Sequence, residues 1–332
     1  MRLPLSTALV SRLETLENAG STNDELTRRA SGADADAWPD LSVLVTDDQR
    51  AGRGRLDRRW VAPAGTSLAI SVLLRPVCAA GAALPIESYG WLPLMAGLAV
   101  ARALRRLGVD AAVKWPNDVL IADRKVCGVL SELLPLAAGS NGIAAPAGAV
   151  IGAGINLTLE PGDLPVETAT SLRIAGVQNP DPDAVLAAYL GELTALYRDF
   201  LAVNGDPDAV ATADAVPTAH AVPTADASPT PDTASTATAQ RSHAVSLRDA
   251  VRAGCSTLGR AVRIQLPSAD PLIGTAIDID ETGRLVVETG SETGSETGST
   301  AGSEMRSTDR PDTDGNARRT AVSAGDVTHL RY

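Results

Sequence analysis

Lysine, histidine and aromatic residues are scarce in this chain of 332 residues. Only 3% of the residues are aromatic and one is Phe, so a folded core must be built from Leu, Val, Ile and Ala. His220 and His243 lie in a low-complexity stretch, and His329 lies near the C-terminus. This distribution excludes a Ser-His-Asp or Cys-His catalytic centre and a histidine metal centre, and no metal-binding residues are predicted.

Cysteines are also few, and long apolar runs are missing. Cys78, Cys127 and Cys255 are odd in number and far apart, which predicts neither a disulfide framework nor a zinc site. No run reaches the roughly 20 apolar residues that cross a bilayer, and no signal peptide is evident. We therefore expect a cytoplasmic protein without a membrane partner. The net charge of −11 argues against nucleic acid as a partner.

The ordered part of the chain alternates between strand-like and helix-like patterns. Apolar runs bounded by Gly, Pro and Asp predict strands over residues 41–46, 67–74, 111–115, 125–133 and 149–157. Amphipathic patterns predict helices over 94–107, 183–201 and 245–255. Further strands are predicted over 261–266, 274–280, 284–288 and near Val327. This order predicts an α+β fold, with a mixed or antiparallel sheet that has helices on one face, followed by a small β-barrel.

Two segments have compositions typical of disordered inserts. Residues 206–243 are rich in Ala, Thr, Pro and Asp, and residues 289–319 repeat Ser-Glu-Thr-Gly. We expect one domain over 1–256 that contains the first insert, and a second over 257–332 that contains the other.

The two lysines, Lys114 and Lys125, lie in one short stretch, although the chain has 27 arginines. An ammonium group is a compact point charge on a flexible stem, which can follow a charge that moves during a reaction. The stretch therefore indicates a site where negative charge is handled. An accidental survival of two lysines in an arginine-biased sequence is the alternative.

An arginine-rich segment, residues 48–60, follows a predicted strand and contains two glycines. Glycine lets the backbone approach a ligand, guanidinium groups bind phosphate or carboxylate oxygens, and Trp60 offers a flat face for a base. The segment is typical of a mobile loop that binds an anion. A solvated surface turn without a ligand is the alternative.

Small and polar residues mark two further segments. Gly152-Ala-Gly-Ile-Asn156 lacks the third glycine of a dinucleotide-binding motif, and it fits either a strand against which a ligand lies or a strand packed under a helix. Thr22 and Glu25 have the spacing of a capping box at a helix N-terminus, where a polar ligand can also bind.

Taken in order, these motifs resemble the biotin–protein ligase family. They are residues 20–26, 49–55 with Trp60, 114–118, 124–125 with Gly128, and 152–156. The resemblance is strong over residues 14–201 and weaker over the C-terminal module. It implies a class II synthetase-like biotin/lipoate ligase domain with an SH3-like C-terminal domain. The motifs begin too near the N-terminus for a DNA-binding domain, so the resemblance is to the monofunctional form.

The resemblance implies roles for individual residues. Ser21, Thr22 and Asn23 match the segment that lines the biotin pocket, and Gln49 matches the glutamine beside the ureido ring. Lys125 matches the lysine that faces the biotin carboxylate and the α-phosphate.

The arginine-rich segment matches a loop that closes over the ligand. Arg53, Gly54 and Arg55 match this loop, with Arg55 near the phosphate and paired with Asp118. Lys125, Arg55 and Asp118 are therefore the expected catalytic residues. Asp57 departs from the family pattern, which has Gly there, and a carboxylate in an anion-binding loop is expected to weaken closure.

Asn117 and Asn156, with Trp60, match positions around the phosphates and adenine. Lys114 and Gly128 are the other residues expected to bind the ligands.

The implied activity is ATP-dependent biotinylation. Biotin and ATP, with Mg²⁺, would give biotinyl-5′-AMP, and the biotinyl group would pass to a lysine of the biotin carboxyl carrier domain of a biotin-dependent carboxylase. A lipoate or octanoate–protein ligase, which would need a longer apolar channel, and a non-catalytic module that binds biotin or a nucleotide remain as alternatives.

Overall fold

The computed structural model describes residues 1–56, 58–138, 144–146, 148–210, 245–266, 269–290 and 317–330. Contacts divide the chain into two compact units, Met1–Cys255 with Glu281–Gly283, and Ser256–Asp280 with Arg284–Tyr332. Within the described ranges, no helix is both long enough and apolar enough to span a membrane.

The first unit contains all the α-helices of the described residues. They are α1 (Pro4–Thr7), α2 (Thr22–Ala30), α3 (Trp91–Arg106), α4 (Pro182–Ala202) and α5 (Leu247–Gly254). Its strands are β1 (Arg12–Thr15), β2 (Ser42–Thr46), β3 (Gly52–Arg53), β4 (Arg59–Trp60), β5 (Ser67–Leu74), β6 (Ala111–Lys114), β7 (Asp118–Ile121), β8 (Arg124–Leu133), β9 (Leu136–Ala138), β10 (Ala144–Pro146) and β11 (Ala149–Asn156).

Seven of these strands form one mixed sheet, in the order β1-β2-β5-β11-β8-β7-β6. Strands β1 and β2 are parallel, and the other neighbours are antiparallel. Two short ribbons, β3–β4 and β9–β10, lie outside this sheet. The mixed sheet with helices that the sequence predicts is confirmed.

The two faces of the sheet differ in character. On one face, Gly97 of α3 approaches Val113 of β6 closely, since a Cβ atom on this glycine would lie 3.7 Å from Val113 Cγ1. Helix α3 is almost wholly apolar and packs against α4, and it ends before Gly108, which has a φ of +81°. The other face carries glycines and polar side chains, together with the short helix α2, and this is the face of the candidate site.

The N-terminus of α2 is capped one residue earlier than the sequence predicts. The Ser21 hydroxyl accepts a hydrogen bond from Asp24 N at 3.3 Å. The Thr22 hydroxyl is instead 3.1 Å from Gln49 Oε1, and Glu25 forms ion pairs with Arg28 and Arg29. The predicted Thr22–Glu25 capping box is therefore wrong, because both side chains have other partners.

The second unit is a five-stranded antiparallel sheet. Its strands are β12 (Ala261–Gln265), β13 (Leu272–Ile279), β14 (Leu285–Thr289), β15 (Arg318–Val322) and β16 (Asp326–His329), in the order β15-β14-β13-β12-β16. Buried and exposed residues alternate along β12, with Val262 and Ile264 inside. A small β-rich module is what the sequence predicts for this region.

The predicted inserts are too long at their ends. Arg248 N donates to Pro207 O at 2.9 Å, and its guanidinium pairs with Asp208, so the chain at 206–210 belongs to the folded unit. Thr289 lies in β14 and pairs in register with Arg318 of β15. Residues 211–243 and 291–316 of the two inserts lie outside the described residues.

Asp183, in the first turn of α4, ties the N-terminal segment to this helix. Its buried carboxylate accepts hydrogen bonds from Leu5 N, Ser6 N and the Ser6 hydroxyl, at 2.9, 2.9 and 2.7 Å. Burial raises the pKa of Asp183, but the hydrogen bonds from Ser6 and Leu5 outweigh it and lower the pKa below its usual value. The ionised carboxylate therefore stabilises the folded state.

We expect Asp183→Asn to lower the free energy of unfolding by about 1–3 kcal/mol at pH 7, since a buried charge-assisted hydrogen-bond set is broken. A lowered folded-state pKa stabilises the protein above the unfolded-state pKa, and this stabilisation is lost as the pH falls through the folded-state value. The difference from wild type, measured by chemical denaturation, should therefore shrink below about pH 4. The exposed Asp110→Asn is the control, and a difference independent of pH would contradict the assignment.

Candidate functional site

Three glycines on neighbouring strands form a row without side chains, which we call the glycine row: Gly128, Gly152 and Gly154. Gly154 of β11 pairs with Gly128 of β8, and Gly152 lies two residues away on the same face. A Cβ atom at Gly152 would lie 2.5 Å from Asn23 Oδ1, and one at Gly154 would lie 2.5 Å from Trp60 Cε2. The row therefore lets an amide from α2 and an indole ring lie directly against the sheet. Contact of a ligand with this strand, one of the two interpretations of its sequence, stays a prediction.

Trp60 lies on this row. It is held there by the β3–β4 ribbon, in which Gly52 pairs with Trp60 and Arg53 with Arg59. The indole Nε1 is buried and has no hydrogen-bond partner within the part of the chain that the structure describes. Lys125 Nζ lies 5.7 Å from the ring centroid, within the range of a cation–π interaction. We call residues 49–60 the arginine loop; its described residues, 49–56 and 58–60, are thus folded back onto the sheet.

Lys125 forms an ion pair with Asp118. Their Nζ and Oδ1 atoms are 2.6 Å apart, and both side chains are partly exposed. A Cβ atom at Gly128 would lie 3.0 Å from Lys125 Nζ, so the ammonium group projects over the glycine row. The strands position both groups, because Asp118 of β7 lies opposite Gly128 of β8. The other lysine, Lys114 of β6, lies opposite Asp118 and extends the same row.

The predicted pair between Arg55 and Asp118 is wrong. In the described part of the chain, Asp118 pairs with Lys125, and Arg55 Nη1 donates to Asn117 Oδ1 at 3.4 Å. Asn117 is held by two hydrogen bonds with Val129. Its Nδ2 donates to Val129 O at 2.7 Å, and its carbonyl oxygen accepts from Val129 N at 2.8 Å. Arg55 therefore contacts Asn117, the chain neighbour of Asp118, while the Asp118 carboxylate pairs with the ammonium group of Lys125.

A row of polar groups lies at the N-terminus of α2. Gln49 Oε1 accepts from Thr22 N at 2.9 Å and from the Thr22 hydroxyl at 3.1 Å. The Ser71 hydroxyl of β5 is 2.8 Å from Thr22 Oγ1 and 2.6 Å from Asn23 Oδ1. The structure therefore brings Ser21, Thr22, Asn23 and Gln49 together, as the sequence predicts.

Three residues of this region, Asp24, Ser71 and Glu132, are not among the predicted site residues. Asn23 Nδ2 donates to Glu132 Oε2 at 2.7 Å, and Arg53 Nη2 donates to Glu132 Oε1 at 2.9 Å and also pairs with Asp24. Ser71 and Glu132 interrupt the apolar strands β5 and β8, which is a weak signal in the sequence. Their partners lie far away along the chain, so spacing alone could not reveal the contacts.

The remaining predicted residues have structural contacts. Asn156 is buried, and its Nδ2 donates to Thr170 O at 2.9 Å, which fastens the loop after β11. Gly54 closes the turn of the arginine loop, with its N–H donating to Arg58 O at 2.6 Å. Asp57, the predicted departure in the loop, lies outside the described residues.

The chemistry of the site is electrostatic. Burial raises the pKa of Cys127 to about 12, so this thiol of β8 stays protonated at neutral pH and does not act as a nucleophile. In the described residues, no cluster of three or more His, Cys, Asp or Glu side chains is arranged to hold a metal ion. The ammonium group of Lys125 and the guanidinium groups of the loop can bind an anion beside the polar row.

Two family models match the chain. Residues 20–156 match the biotin/lipoate A/B protein ligase family, and residues 257–330 match the biotin protein ligase C-terminal domain. The first range contains all the site residues described above, and the second coincides closely with the five-stranded sheet.

Curated relatives and solved structures agree with these matches. The chain is 32% identical over 325 residues to the biotin–[acetyl-CoA-carboxylase] ligase of Mycobacterium tuberculosis, which covers 96% of this chain and 90% of that one. It is 38% identical over 160 residues to the bifunctional ligase/repressor BirA of Escherichia coli, covering 46% and 44% of the two chains. The biotin protein ligase of Aquifex aeolicus in complex with biotin and ATP shares the fold, with a TM-score of 0.61 at 22% identity, covering 97% of this chain and all of that one.

The first unit and the C-terminal module thus have a biotin/lipoate-type ligase fold. Because a curated relative matches nearly the whole chain at this level of identity, the chain belongs to the biotin protein ligase family.

The contact between Trp60 and the glycine row can be tested by adding a methyl group. We expect Gly154→Ala to displace the Trp60 ring, because the new Cβ would lie 2.5 Å from Cε2 and the loop yields more easily than the central strand β11. Trp60 fluorescence should then be quenched by acrylamide at least about twofold more strongly, since the other tryptophans are buried.

Gly191→Ala is the matched control, because nothing lies within 4 Å of its Cβ position in α4. Equal quenching in both variants would show that Trp60 does not lie on the row.

Proposed function

We propose that this chain is an ATP-dependent biotin–protein ligase that forms biotinyl-5′-AMP and transfers the biotinyl group to a carrier lysine. The supporting observation is the position of the arginine loop over the glycine row. At one end of the loop, Gln49 contacts the polar row at Thr22, and at the other end Trp60 lies beside Lys125. The same loop therefore contacts both the polar row and the ammonium group of Lys125.

The polar row suits the ureido ring of biotin. Gln49 and Thr22 offer an amide and a hydroxyl, which are already oriented by hydrogen bonds to each other, and the Ser71 hydroxyl also contacts Thr22. A ureido group has one carbonyl acceptor and two N–H donors, which a pair of this kind can match. The dithiolane ring of lipoate has no such groups, so the pocket favours biotin as substrate.

Lys125 would stabilise charge in the first step. A carboxylate oxygen of biotin attacks the α-phosphorus of ATP, the bond from that phosphorus to the bridging oxygen breaks, and pyrophosphate leaves. Both reacting groups are anionic, so an ammonium group between them lowers the barrier. The ion pair with Asp118 holds Lys125 over the glycine row until the substrates compete for it.

Mg²⁺ would enter with the ATP phosphates, because this cation is usually held by substrate phosphates and one or two carboxylates. It would neutralise the leaving pyrophosphate. Asp118 is a carboxylate beside Lys125 that could share such an ion, and Arg55, at Asn117, would face the phosphates.

In the second step the carrier lysine attacks the acyl carbonyl of biotinyl-5′-AMP, AMP leaves, and the amine loses a proton as the amide forms. The mixed anhydride hydrolyses in water, so the loop with Trp60 and Arg53 would shield it until the carrier docks. The carrier we propose is the biotin carboxyl carrier domain of an acetyl-CoA carboxylase. A cytoplasmic location fits the three free cysteines Cys78, Cys127 and Cys255.

A pyrophosphate-release assay tests this function. Purified protein is incubated with Mg-ATP and either biotin or lipoate, with and without a biotin carrier domain. Release with biotin and a mass increase on one carrier lysine would support the ligase. Release with lipoate alone would replace it with the sister activity, and tight biotin binding without release would replace it with a binding module.

Lys125→Ala should reduce biotin-dependent ATP–pyrophosphate exchange by at least about 100-fold, since a preorganised charge opposite the transition state is lost. Lys125→Arg should also be strongly impaired, because a guanidinium fork does not replace a point charge. Arg105→Ala, which removes an exposed cation from the last turn of α3, is the control. A near-normal rate in Lys125→Ala would exclude the role given to this residue.

A further inference from the structure

Glu132, near the end of β8, contacts two parts of the chain that are remote from each other in sequence. Its Oε2 accepts from Asn23 Nδ2 at 2.7 Å, and its Oε1 accepts from Arg53 Nη2 at 2.9 Å. Asn23 belongs to the polar row at α2, and Arg53 belongs to the arginine loop. One oxygen of this carboxylate thus contacts the polar row, and the other contacts the arginine loop.

The contact with Asn23 sets the orientation of its amide. Nδ2 donates to Glu132 and, at 3.3 Å, to Leu130 O, while Oδ1 accepts from the Ser71 hydroxyl at 2.6 Å. The same Ser71 hydroxyl lies 2.8 Å from Thr22 Oγ1. The order imposed by the carboxylate therefore extends through Asn23 and Ser71 to Thr22.

The contact with Arg53 holds the first half of the loop. The Arg53 guanidinium is shared between Glu132 and Asp24, the latter on the exposed side of α2. Arg53 pairs through its backbone with Arg59 in the β3–β4 ribbon, next to Trp60. A group that fixes Arg53 therefore also favours the position of Trp60 on the glycine row.

We propose that Glu132 is a positioning residue that couples the biotin pocket to the arginine loop. It does not touch the reacting atoms; it orients Asn23 and Arg53 so that the pocket is ordered when the loop is seated. This inference rests on the proposed function, because its consequences are measured on biotin and biotinyl-5′-AMP.

Glu132→Gln is the informative change. Glutamine keeps the size of the side chain but has one acceptor oxygen, so it can serve Asn23 or Arg53 but not both. The KM for biotin should rise about tenfold, the scale of one lost charge-assisted hydrogen bond. The kcat for pyrophosphate exchange at saturating biotin should stay within about twofold, since Lys125 and Asp118 are untouched. Release of biotinyl-5′-AMP into solution should increase.

A double-mutant cycle with Arg53→Gln separates coupling from a structural effect. Arg53 is half exposed, so its loss should not unfold the protein. If Glu132 holds the loop through Arg53, the adenylate release of the double variant should be clearly less than the product of the two single effects. Glu288→Gln is the matched control, because this strand glutamate also pairs with an arginine, Arg319, at similar exposure in the second unit.

The outcomes distinguish the two proposals. A raised KM with a preserved kcat and a sub-additive cycle supports the role of Glu132. Kinetics equal to those of Glu288→Gln, or a fall in kcat together with a lowered melting temperature and additive effects, overturns it and leaves the proposed function intact. Absence of adenylate in the wild-type protein would overturn the proposed function, and this inference with it.

Discussion

The site depends on close approach to a sheet surface that lacks side chains. Gly128, Gly152 and Gly154 lie on the strands at the centre of the first unit, and the Trp60 ring and the Asn23 amide occupy the space that Cβ atoms would fill. Strand pairing on both sides makes this surface rigid, so groups laid on it are held in a fixed plane. The ion pair of Lys125, the polar row and the arginine loop are all arranged around that plane.

Local patterns in the sequence predicted the frame of the molecule well. The strand over 67–74 and the helix ended by Gly108 follow from period and composition, which neighbouring residues determine. The short strands β1 and β7 carry too few residues to show a period, and β15 was hidden at the edge of a low-complexity segment. These elements exist because a neighbouring strand offers them a hydrogen-bonding edge, which no local pattern records.

The site could be predicted as a set of residues more readily than as a set of contacts. The position of Lys125 in the chain and the motif at 49–55 pointed to β8 and to the arginine loop, which lie beside each other in the structure. The partner of Asp118 was mistaken, because Arg55 and Lys125 both suit a carboxylate and only the register of β7 against β8 decides between them. Glu132 was missed for a similar reason, since its two partners come from segments 79 and 109 residues away.

For each low-complexity stretch, the two points at which it joins its folded unit lie close together in space. Pro207 and Arg248 are joined by a backbone hydrogen bond, and Thr289 lies opposite Arg318 in a β ladder. Each stretch therefore leaves and re-enters its unit at one place. Doubling the length of such a loop costs only about 0.6 kcal/mol of closure entropy, so both units can accept large changes there without rearranging. An insertion within either stretch is therefore expected to leave the fold of its unit intact.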